Sequence, residues 1–405
     1  MRLRHGVMVA GLLAAMLGTT VMGSGGPTAA DPPPYWSITP AWTHDGYGPD
    51  NSGFNLDESW LVPGRVGELK KQWSIPATGR QVCARQAAPV TDGGAIFVPG
   101  RESIGAFDAD TGARFWTYPY ADPMDVRTPL LAVFSGRLLV ATSECQSASS
   151  PGGELLALDA ATGRLLWKAP TTAPEETLTV DSGVAVVAGH NEEGSMDTIA
   201  FDIATGRQLW KRELTMPAAG VTTQGTLLLT SYDNVFRPTG AVAVDIKTGR
   251  VRWQTARAWL VRAADYTGRF FLVNDTAGAL LRVNATSGAI AWTKRGLGGP
   301  LAVDRAQIYV ASGTDLVSVT VGSGRETWRR AGSVSKLRPV VAAGVVYTVS
   351  PQNRLETLNA TNGHQLGFSA GNTVDHAVVN DGWVYLIDGR QLHGYTVPRT
   401  GPHPA

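Results

Sequence analysis

The chain has 405 residues, including 47 glycines and 12 tryptophans, and only 17% of its residues are charged. This composition disfavours long helices rich in Ala, Glu, Lys and Leu and is typical of β structure. The formal net charge is +1 and the chain has no basic run. These features exclude a surface that wraps nucleic acid, because Lys and Arg contacts to phosphates dominate such binding.

Residues 1–30 have the pattern of a secretory signal peptide. Arg2 and Arg4 form a positively charged start, residues 7–17 are apolar, and a small-residue region ends at Ala30, after which we expect cleavage. A retained membrane anchor is the alternative, but the apolar run is well short of the ~20 residues that span a bilayer. We therefore expect a mature protein that is secreted or extracytoplasmic and has no membrane span.

One motif recurs along the rest of the chain: a short apolar strand ending in Asp, a Thr-Gly turn, and a Trp four residues after the Gly. The copies are AFDADTGARFW, ALDAATGRLLW, AFDIATGRQLW, AVDIKTGRVRW, RVNATSGAIAW and SVTVGSGRETW, which end at Trp116, Trp167, Trp210, Trp253, Trp292 and Trp328. A degraded seventh copy, TLNATNGHQLG, ends at Gly367. Repetition at intervals of about 36 to 51 residues is typical of propeller blades.

The residue types of the motif suit a tight hairpin, as the copy that ends at Trp167 illustrates. Asp159 and Thr162 offer side-chain acceptors to backbone N–H groups in the turn. Gly163 supplies the left-handed backbone conformation that the turn needs. We expect the large flat ring of Trp167 to wedge between neighbouring sheets while its N–H finds an acceptor. The tryptophans of the motif are thus predicted to be structural docking residues rather than a stacking platform.

The number of blades follows from the two ends of the chain. A second hairpin precedes each motif, and two hairpins make one four-stranded antiparallel blade. The last hairpin is followed by a strand without a partner, QLHGYTV, whereas ELKKQW near the other end terminates at Trp73, in phase with the repeat. Pairing these two strands completes one blade and closes the ring without exposed edges. We therefore predict an all-β, eight-bladed β-propeller in which Trp73 is the seventh docking tryptophan.

The repeat also sets the expected organisation of the chain. The signal peptide occupies residues 1–30, and an extended lead-in occupies residues 31–59. The propeller is expected at 60–398, followed by a flexible C-terminal tail at 399–405.

The block A-x-D-x-x-T-G-x-x-x-W resembles the tryptophan-docking motif of the pyrroloquinoline-quinone (PQQ) repeat family, and the match extends from about Trp60 to Val397. The lead-in WTHDGYGPDNSGFNLDESWL is similar to that of many exported members. The resemblance implies one of two functional classes. Quinoprotein dehydrogenases bind PQQ and calcium, whereas non-enzymatic scaffolds include the propeller subunit of the outer-membrane β-barrel assembly machinery.

The dehydrogenase class implies particular residues, and this chain departs from that pattern. Its typical members have two adjacent cysteines, a calcium-coordinating Glu and Asn, and an Asp base. The chain has no Cys-Cys pair, and none of the other residues aligns with a numbered position. The docking motif is structural in both classes, so its presence does not indicate quinone binding. We predict no cofactor, with PQQ and calcium expected only if the dehydrogenase alternative holds.

The only two cysteines are Cys83 and Cys145. An oxidising compartment would let them form a disulfide. Cys83 falls in the predicted loop that leads into blade 1, and Cys145 in a loop on the same face of blade 2. Two separate buried thiols are the alternative, but for an exported chain we favour the disulfide.

The residues just before each inner strand should gather at one mouth of the central channel. The candidates are Arg85, Arg127, Glu176, Trp259, Arg262, Lys336, Arg338, Asp375 and His376. Five of the nine are basic, so the mouth could take an anionic ligand or an acidic peptide; charges that are merely solvated are the alternative. His376 and Asp375 could form an acid–base pair, but adjacent strand residues point to opposite faces, which weakens this interpretation.

No catalytic or metal-binding constellation is visible in the sequence. The seven histidines are scattered without H-x-x-x-H spacing, and no Cys-x-x-Cys is present. The sequence therefore favours an exported, non-enzymatic scaffold that binds a protein, a peptide or another ligand and that we expect to be monomeric. A small PQQ-dependent dehydrogenase and an outer-membrane assembly subunit remain the alternatives.

Overall fold

The computed structural model describes residues 41–77, 88–100, 102–123, 125–145, 152–171, 175–190, 196–217, 219–334 and 337–398. The predicted signal peptide and C-terminal tail lie outside these ranges. Within them the chain forms an eight-bladed β-propeller, which confirms the predicted fold. No helix of the described ranges is long and apolar enough to cross a membrane.

Hairpins connect the strands of each blade, so chain neighbours are also sheet neighbours. The elements before blade 1 are strand β1 (Phe54–Asn55), a 3-10 helix (Val66–Glu68) and strand β2 (Lys70–Pro76). Blade 1 contains β3 (Val90–Asp92), β4 (Ala95–Pro99), β5 (Ser103–Asp108) and β6 (Arg114–Pro119), and blade 2 contains β7 (Leu130–Phe134), β8 (Arg137–Ser143), β9 (Gly153–Asp159) and β10 (Leu165–Thr171). Blade 3 contains β11 (Glu175–Asp181), β12 (Val184–His190), β13 (Met196–Asp202) and β14 (Gln208–Glu213).

The inner edge of blade 4 is divided into two short strands that both pair with the same neighbour. This blade contains β15 (Thr215–Met216), β16 (Thr222–Thr223), β17 (Thr226–Tyr232), β18 (Pro238–Asp245) and β19 (Val251–Thr255). Blade 5 contains β20 (Trp259–Ala264), β21 (Phe270–Asp275), β22 (Leu280–Asn284) and β23 (Ile290–Lys294), and blade 6 contains β24 (Leu301–Val303), β25 (Gln307–Ser312), β26 (Asp315–Thr320) and β27 (Glu326–Arg330). Blade 7 contains β28 (Val340–Ala342), β29 (Val345–Val349), β30 (Leu355–Asn359) and β31 (Gln365–Ala370).

Blade 8 joins the two ends of the chain. It contains β32 (Val374–Asn380), β33 (Trp383–Asp388) and β34 (Gln391–Thr396), and β2 is its outermost strand. β2 is antiparallel to β34, with Trp73 opposite Gly394. This pairing confirms the predicted closure of the ring.

The Thr-Gly turn has the hydrogen bonds that its residue types predict. In blade 2, one carboxylate oxygen of Asp159 accepts from the backbone N–H of Thr162 (3.0 Å) and from its hydroxyl (2.8 Å). The N–H of Gly163 donates to the carbonyl of Asp159 at 2.8 Å, and Gly163 has a φ of 72°. Local chemistry alone therefore fixes this hairpin.

The motif tryptophans join each blade to the next. The Nε1 of Trp116 donates to the carbonyl of Ala160 in blade 2 at 2.9 Å, and its ring lies over Gly163. Five others make the same bond to the following blade: Trp167 to Ile203, Trp210 to Ile246, Trp253 to Ala285, Trp292 to Val321 and Trp328 to Ala360. Trp73 packs over Gly112 of blade 1 in the same way, although its Nε1 has no partner among the described residues. Each of these seven indoles therefore lies between two neighbouring blades.

The junction between blades 7 and 8 is built differently, because Gly367 stands where the other copies have tryptophan. Here the chain between the lead-in and β2 fills the space. Trp60 packs against Gly382 in the inner hairpin of blade 8, and a carboxylate oxygen of Glu58 accepts from the N–H of Gly382 at 2.9 Å. The 3-10 helix packs against β31. This segment thus replaces the missing indole.

The lead-in is not a separate extension of the propeller. Residues 42–55, which we call the belt, run once around the inside of the ring and contact the inner strand of every blade in turn. Six backbone carbonyls of the belt accept a hydrogen bond from an inner-strand N–H at 2.8–2.9 Å. The pairs, with the carbonyl residue first, are Trp42 and Thr91, Thr43 and Val133, Pro49 and Thr222, Asp50 and Ala264, Ser52 and Val303, and Gly53 and Val341. In blade 3, His44 Nε2 lies 2.8 Å from the carbonyl oxygen of Val180. In blade 8, Asn55 Nδ2 donates to the carbonyl of Val379 at 2.8 Å.

Each contacted residue is one of the last two of its inner strand, next to the hairpin that leads to the second strand. The belt therefore lies at one end of the channel, which we call the belt end; the opposite end is the mouth. Trp42 and Asn55 are 1% and 0% exposed, so the two ends of the belt are buried. The lead-in thus lines the inside of the ring at the belt end.

The hydrophobic core lies between neighbouring blades. Phe97 of blade 1 and Leu138 and Leu158 of blade 2, for example, are completely buried in one cluster. Burial of a side chain of this size contributes roughly 1.5–3 kcal/mol. The blades are therefore held mainly by apolar contact, and the indole bonds fix how they are aligned.

Protonation of His44 is expected to weaken the belt. His44 is buried, and burial lowers its pKa from 6.5 to about 4. Because the pKa in the folded state lies below that in the unfolded state, the stabilisation is complete above pH 6.5 and is lost as the pH falls toward 4. A shift of this size corresponds to roughly 3 kcal/mol.

Urea unfolding at several pH values between about 7 and about 4 measures this effect. The control variant His44→Gln keeps an amide that can donate to Val180 but does not titrate. The stability difference between the natural protein and this variant should shrink as the pH falls. A difference that stays constant over this range would contradict the assignment.

Candidate functional site in the central channel

The channel contains a cavity of about 380 Å³ between the belt and the mouth. Residues in or next to the inner strands of all eight blades line it, and Asp45 of the belt also faces it. Asp45 lies in a tight turn, in which His44 and Tyr47 form an isolated bridge. The carbonyl of Asp45 accepts from Trp42 Nε1 at 3.4 Å. The belt therefore contributes a carboxylate to the cavity.

β-bulges place three charged side chains at the cavity. The pairing register shifts at Glu176 in β11, at Arg262 in β20 and at Asp375 in β32, and each of these residues has no cross-strand partner in the ladder. All three line the cavity. A bulge re-aims a side chain out of the regular alternation of a strand. Asp375 and His376 consequently face the same cavity, contrary to the alternation that the sequence predicted for them.

Two arginines are linked to each other through the belt. Arg338 Nη1 donates to Asn51 Oδ1 at 2.6 Å, and Asn51 Nδ2 donates to the carbonyl of Arg262 at 2.7 Å. Arg262 Nε donates to Asn274 Oδ1 at 2.8 Å. Burial and the nearby Arg338 charge lower the pKa of Arg262. The side-chain amide of Asn51 thus positions both the Arg338 guanidinium and the backbone at Arg262.

His376 lies beside the belt carboxylate. Its Nδ1 is 3.9 Å from Asp45 Oδ1, and Arg338 Nη2 is 3.8 Å from the other oxygen of Asp45. His376 Nε2 is buried and has no hydrogen-bond partner among the described residues. Burial lowers the pKa of His376, so the neutral ring is favoured. The ring therefore contributes one buried nitrogen that no described residue bonds.

The structure gathers part of the predicted set of mouth residues. Glu176, Arg262, Arg338, Asp375 and His376 all line the cavity. Glu176 Oε1 also lies 3.1 Å from His190 Nδ1. Arg127 is not among the lining residues, and its N–H donates to the carbonyl of Ser143.

The remaining predicted residues lie elsewhere. Trp259 is only 2% exposed and packs against Trp253 in a cluster between blades. Arg85 and Lys336 lie outside the described residues. Asp45 and Asn51 were missed by sequence reasoning, because the lead-in was treated only as an extended segment before the propeller.

The predicted disulfide stays a prediction. Cys83 lies outside the described residues. Cys145 follows β8, and its backbone N–H donates to Asp125 Oδ1 at 2.8 Å. In the part of the chain that the structure describes, no three His, Cys, Asp or Glu side chains form a group that could hold a metal ion.

The fold and the channel define a β-propeller of eight blades that is docked by tryptophans and closed by the pairing of β2 with β34. A family model described as outer membrane protein assembly factor BamB matches residues 100–281 and 276–366. The chain therefore belongs to this family of PQQ-like propellers, which confirms the resemblance. No curated protein matches the sequence.

Solved structures share the fold at low sequence identity. The quinohemoprotein alcohol dehydrogenase from Comamonas testosteroni superposes with a TM-score of 0.66 at 15% identity, covering 90% of this chain and 82% of the dehydrogenase. BamB from Moraxella catarrhalis superposes with a TM-score of 0.58 at 16% identity, covering 83% of this chain and 99% of BamB. The computationally designed Ika8 protein has a TM-score of 0.58 at 11% identity and covers 80% of this chain and 98% of its own. An enzyme, an assembly factor and a designed protein share this fold, so the fold alone does not assign a function.

Proposed function

We propose that this protein is an exported, non-enzymatic scaffold that binds a protein or peptide partner outside the cytoplasm. The proposal rests on what the polar side chains of the channel contact. Arg338 holds Asn51, Asn51 holds the Arg262 backbone, and Asp45 lies near both Arg338 and His376. These groups position the belt against the blades, which is a structural task.

The donor set of the channel does not fit a calcium-bound quinone. Calcium takes six to eight oxygen ligands, most of them carboxylate or carbonyl oxygens. The described residues contain no suitable group of three His, Cys, Asp or Glu side chains, and the chain has no adjacent cysteines. We derive no redox step from the channel.

The family match supports a protein partner in particular. The matching model is described as an outer membrane protein assembly factor, and such a factor acts on other proteins. A role in outer-membrane assembly is therefore the second candidate function for this chain. Both candidates place the protein outside the cytoplasm, in agreement with the predicted signal peptide.

Two measurements test the proposal. Photo-crosslinking residues placed at Tyr266 and Val235, which are exposed by 49% and 65%, are expected to capture a discrete envelope protein in living cells. The purified protein, supplied with PQQ and calcium, is expected to give no bound quinone absorbance and no dye-linked oxidation of alcohols or sugars. Calcium-dependent quinone binding with turnover would refute the scaffold proposal in favour of the dehydrogenase.

A further inference from the structure

The Arg262 guanidinium lies at the cavity without a counter-ion among the described residues. The side chain is half-buried at the cavity, and its described polar contact is the neutral amide of Asn274. Among the described residues, no carboxylate lies within ion-pair distance of it, in contrast to Arg282, which pairs with Asp265 at 2.7 Å. A partly desolvated charge that lacks a partner is costly. The cavity is therefore set up to receive an anion at Arg262.

The position of Arg262 is fixed before any ligand arrives. The bulge in β20 directs the residue into the cavity, Asn51 holds its carbonyl, and Asn274 holds its Nε. With Nε engaged, the terminal Nη1 and Nη2 groups remain to donate to a ligand. Two parallel N–H donors match the two oxygens of a carboxylate. Such preorganisation reduces the entropy lost on binding.

The other charged residues of the cavity limit the class of anion that can bind at Arg262. Asp45, Glu176 and Asp375 line the same cavity as the two arginines. These three carboxylates repel a polyanion or a doubly charged phosphate, whereas a single carboxylate can sit at Arg262. We propose that the channel cavity binds a monocarboxylate, with Arg262 as its anchor.

The size of the cavity, about 380 Å³, is at the small end of the range for ligand pockets. Two sources of a single carboxylate fit this volume: a small free organic acid, or the C-terminal carboxylate of a peptide that enters through the mouth. The inference rests on the proposed scaffold function, since it names a group that the scaffold would recognise.

The test uses matched pairs of probes that differ in charge. Propionate and propionamide represent the free acid. An acetylated alanine pentapeptide with a free C-terminus, and the same peptide amidated, represent the peptide source. Binding is followed by calorimetry and by the NMR signal of the Arg262 Nε–H. We expect at least one carboxylate to bind about 10-fold more tightly than its amide, a difference of about 1.4 kcal/mol.

Variants then locate the binding. Arg262→Gln is expected to weaken binding at least 10-fold, and Arg262→Lys, which keeps the charge but loses the paired donors, to weaken it less. The control Arg164→Gln changes an exposed arginine on a Thr-Gly turn and should bind like the natural protein. Unfolding midpoints of all variants show that the ring is intact. If Arg262→Gln does not fold, Arg262→Lys and the NMR signal still decide the question.

Two results would overturn the inference: no difference between acid and amide for either pair, or carboxylate binding that Arg262→Gln and Arg262→Lys leave unchanged. Capture of an envelope partner without carboxylate binding would end the inference and leave the scaffold proposal standing. Quinone-dependent turnover would instead end the scaffold proposal.

Discussion

A chain that begins at Ser59 is expected to lose the folded ring, whereas a chain that begins at Ala41 should keep it. The shorter chain lacks the belt, so the inner-strand N–H groups that donate to belt carbonyls lose their acceptors. Each such bond contributes roughly 0.5–1.5 kcal/mol. Loss of Trp42, which is 1% exposed, costs about 3–5 kcal/mol more. The sum exceeds about 5 kcal/mol, the lower limit of the stability of ordinary domains.

Circular dichroism and urea titration of both chains measure this difference. The chain from Ala41 should unfold in one cooperative transition, and the chain from Ser59 should show none. Trp42→Ala in the longer chain should give an intermediate stability. Equal unfolding midpoints for the two truncated chains would show that the belt is dispensable.

Gly163→Ala is expected to destabilise the ring by about 3 kcal/mol, well beyond the effect of Gly183→Ala. Both glycines have a positive φ, 72° and 82°, so either substitution costs roughly 1–2 kcal/mol of backbone strain. A Cβ on Gly163 would also lie 2.6 Å from the ring of Trp116, whereas one on Gly183 meets nothing within 4 Å. Overpacking of this kind adds about 1–3 kcal/mol.

A double-mutant cycle tests the cause of this difference. With Trp116→Ala in place, the ring that causes the clash is gone, and the cost of Gly163→Ala should fall to that of Gly183→Ala. Chemical unfolding of the four proteins gives the coupling free energy. A coupling near zero would mean that the indole and the turn glycine do not share one docking contact.

The blades could be predicted because their signals are local. Asp159, Thr162 and Gly163 lie within five consecutive residues, and their turn chemistry is complete within that hairpin. The closing strand was also predictable, because Trp73 keeps the phase of the repeat. Counting motifs therefore gave the architecture without any knowledge of long-range contacts.

The belt could not be predicted in this way. Its residues show neither helical nor strand periodicity, and its contacts join positions that are far apart in the chain, such as Asn55 and Val379. Most of them use backbone carbonyls, which carry no sequence signal. The signal available was indirect: Tyr47, Asn51 and Gly53 have positive φ, and a segment rich in Gly, Asp and Asn is typical of a sharply turning path.

The candidate site was predictable only as a location. Topology indicated that residues leading into the inner strands would lie at one mouth, and Arg262 and Arg338 line the same cavity. The bulges at Arg262 and Asp375 were not predictable, because strand alternation was assumed to hold. Trp259 was included by position alone, although its size favours burial between blades.

The path of the belt has a consequence for how this protein is made. The belt contacts every blade, including blade 8, which is synthesised last. At roughly 5–20 residues per second, a chain of 405 residues takes about 20–80 s to complete. Until blade 8 exists, Asn55 has no Val379 carbonyl to bond and β2 has no β34 to pair with. The ring can therefore close only after the whole chain has been made.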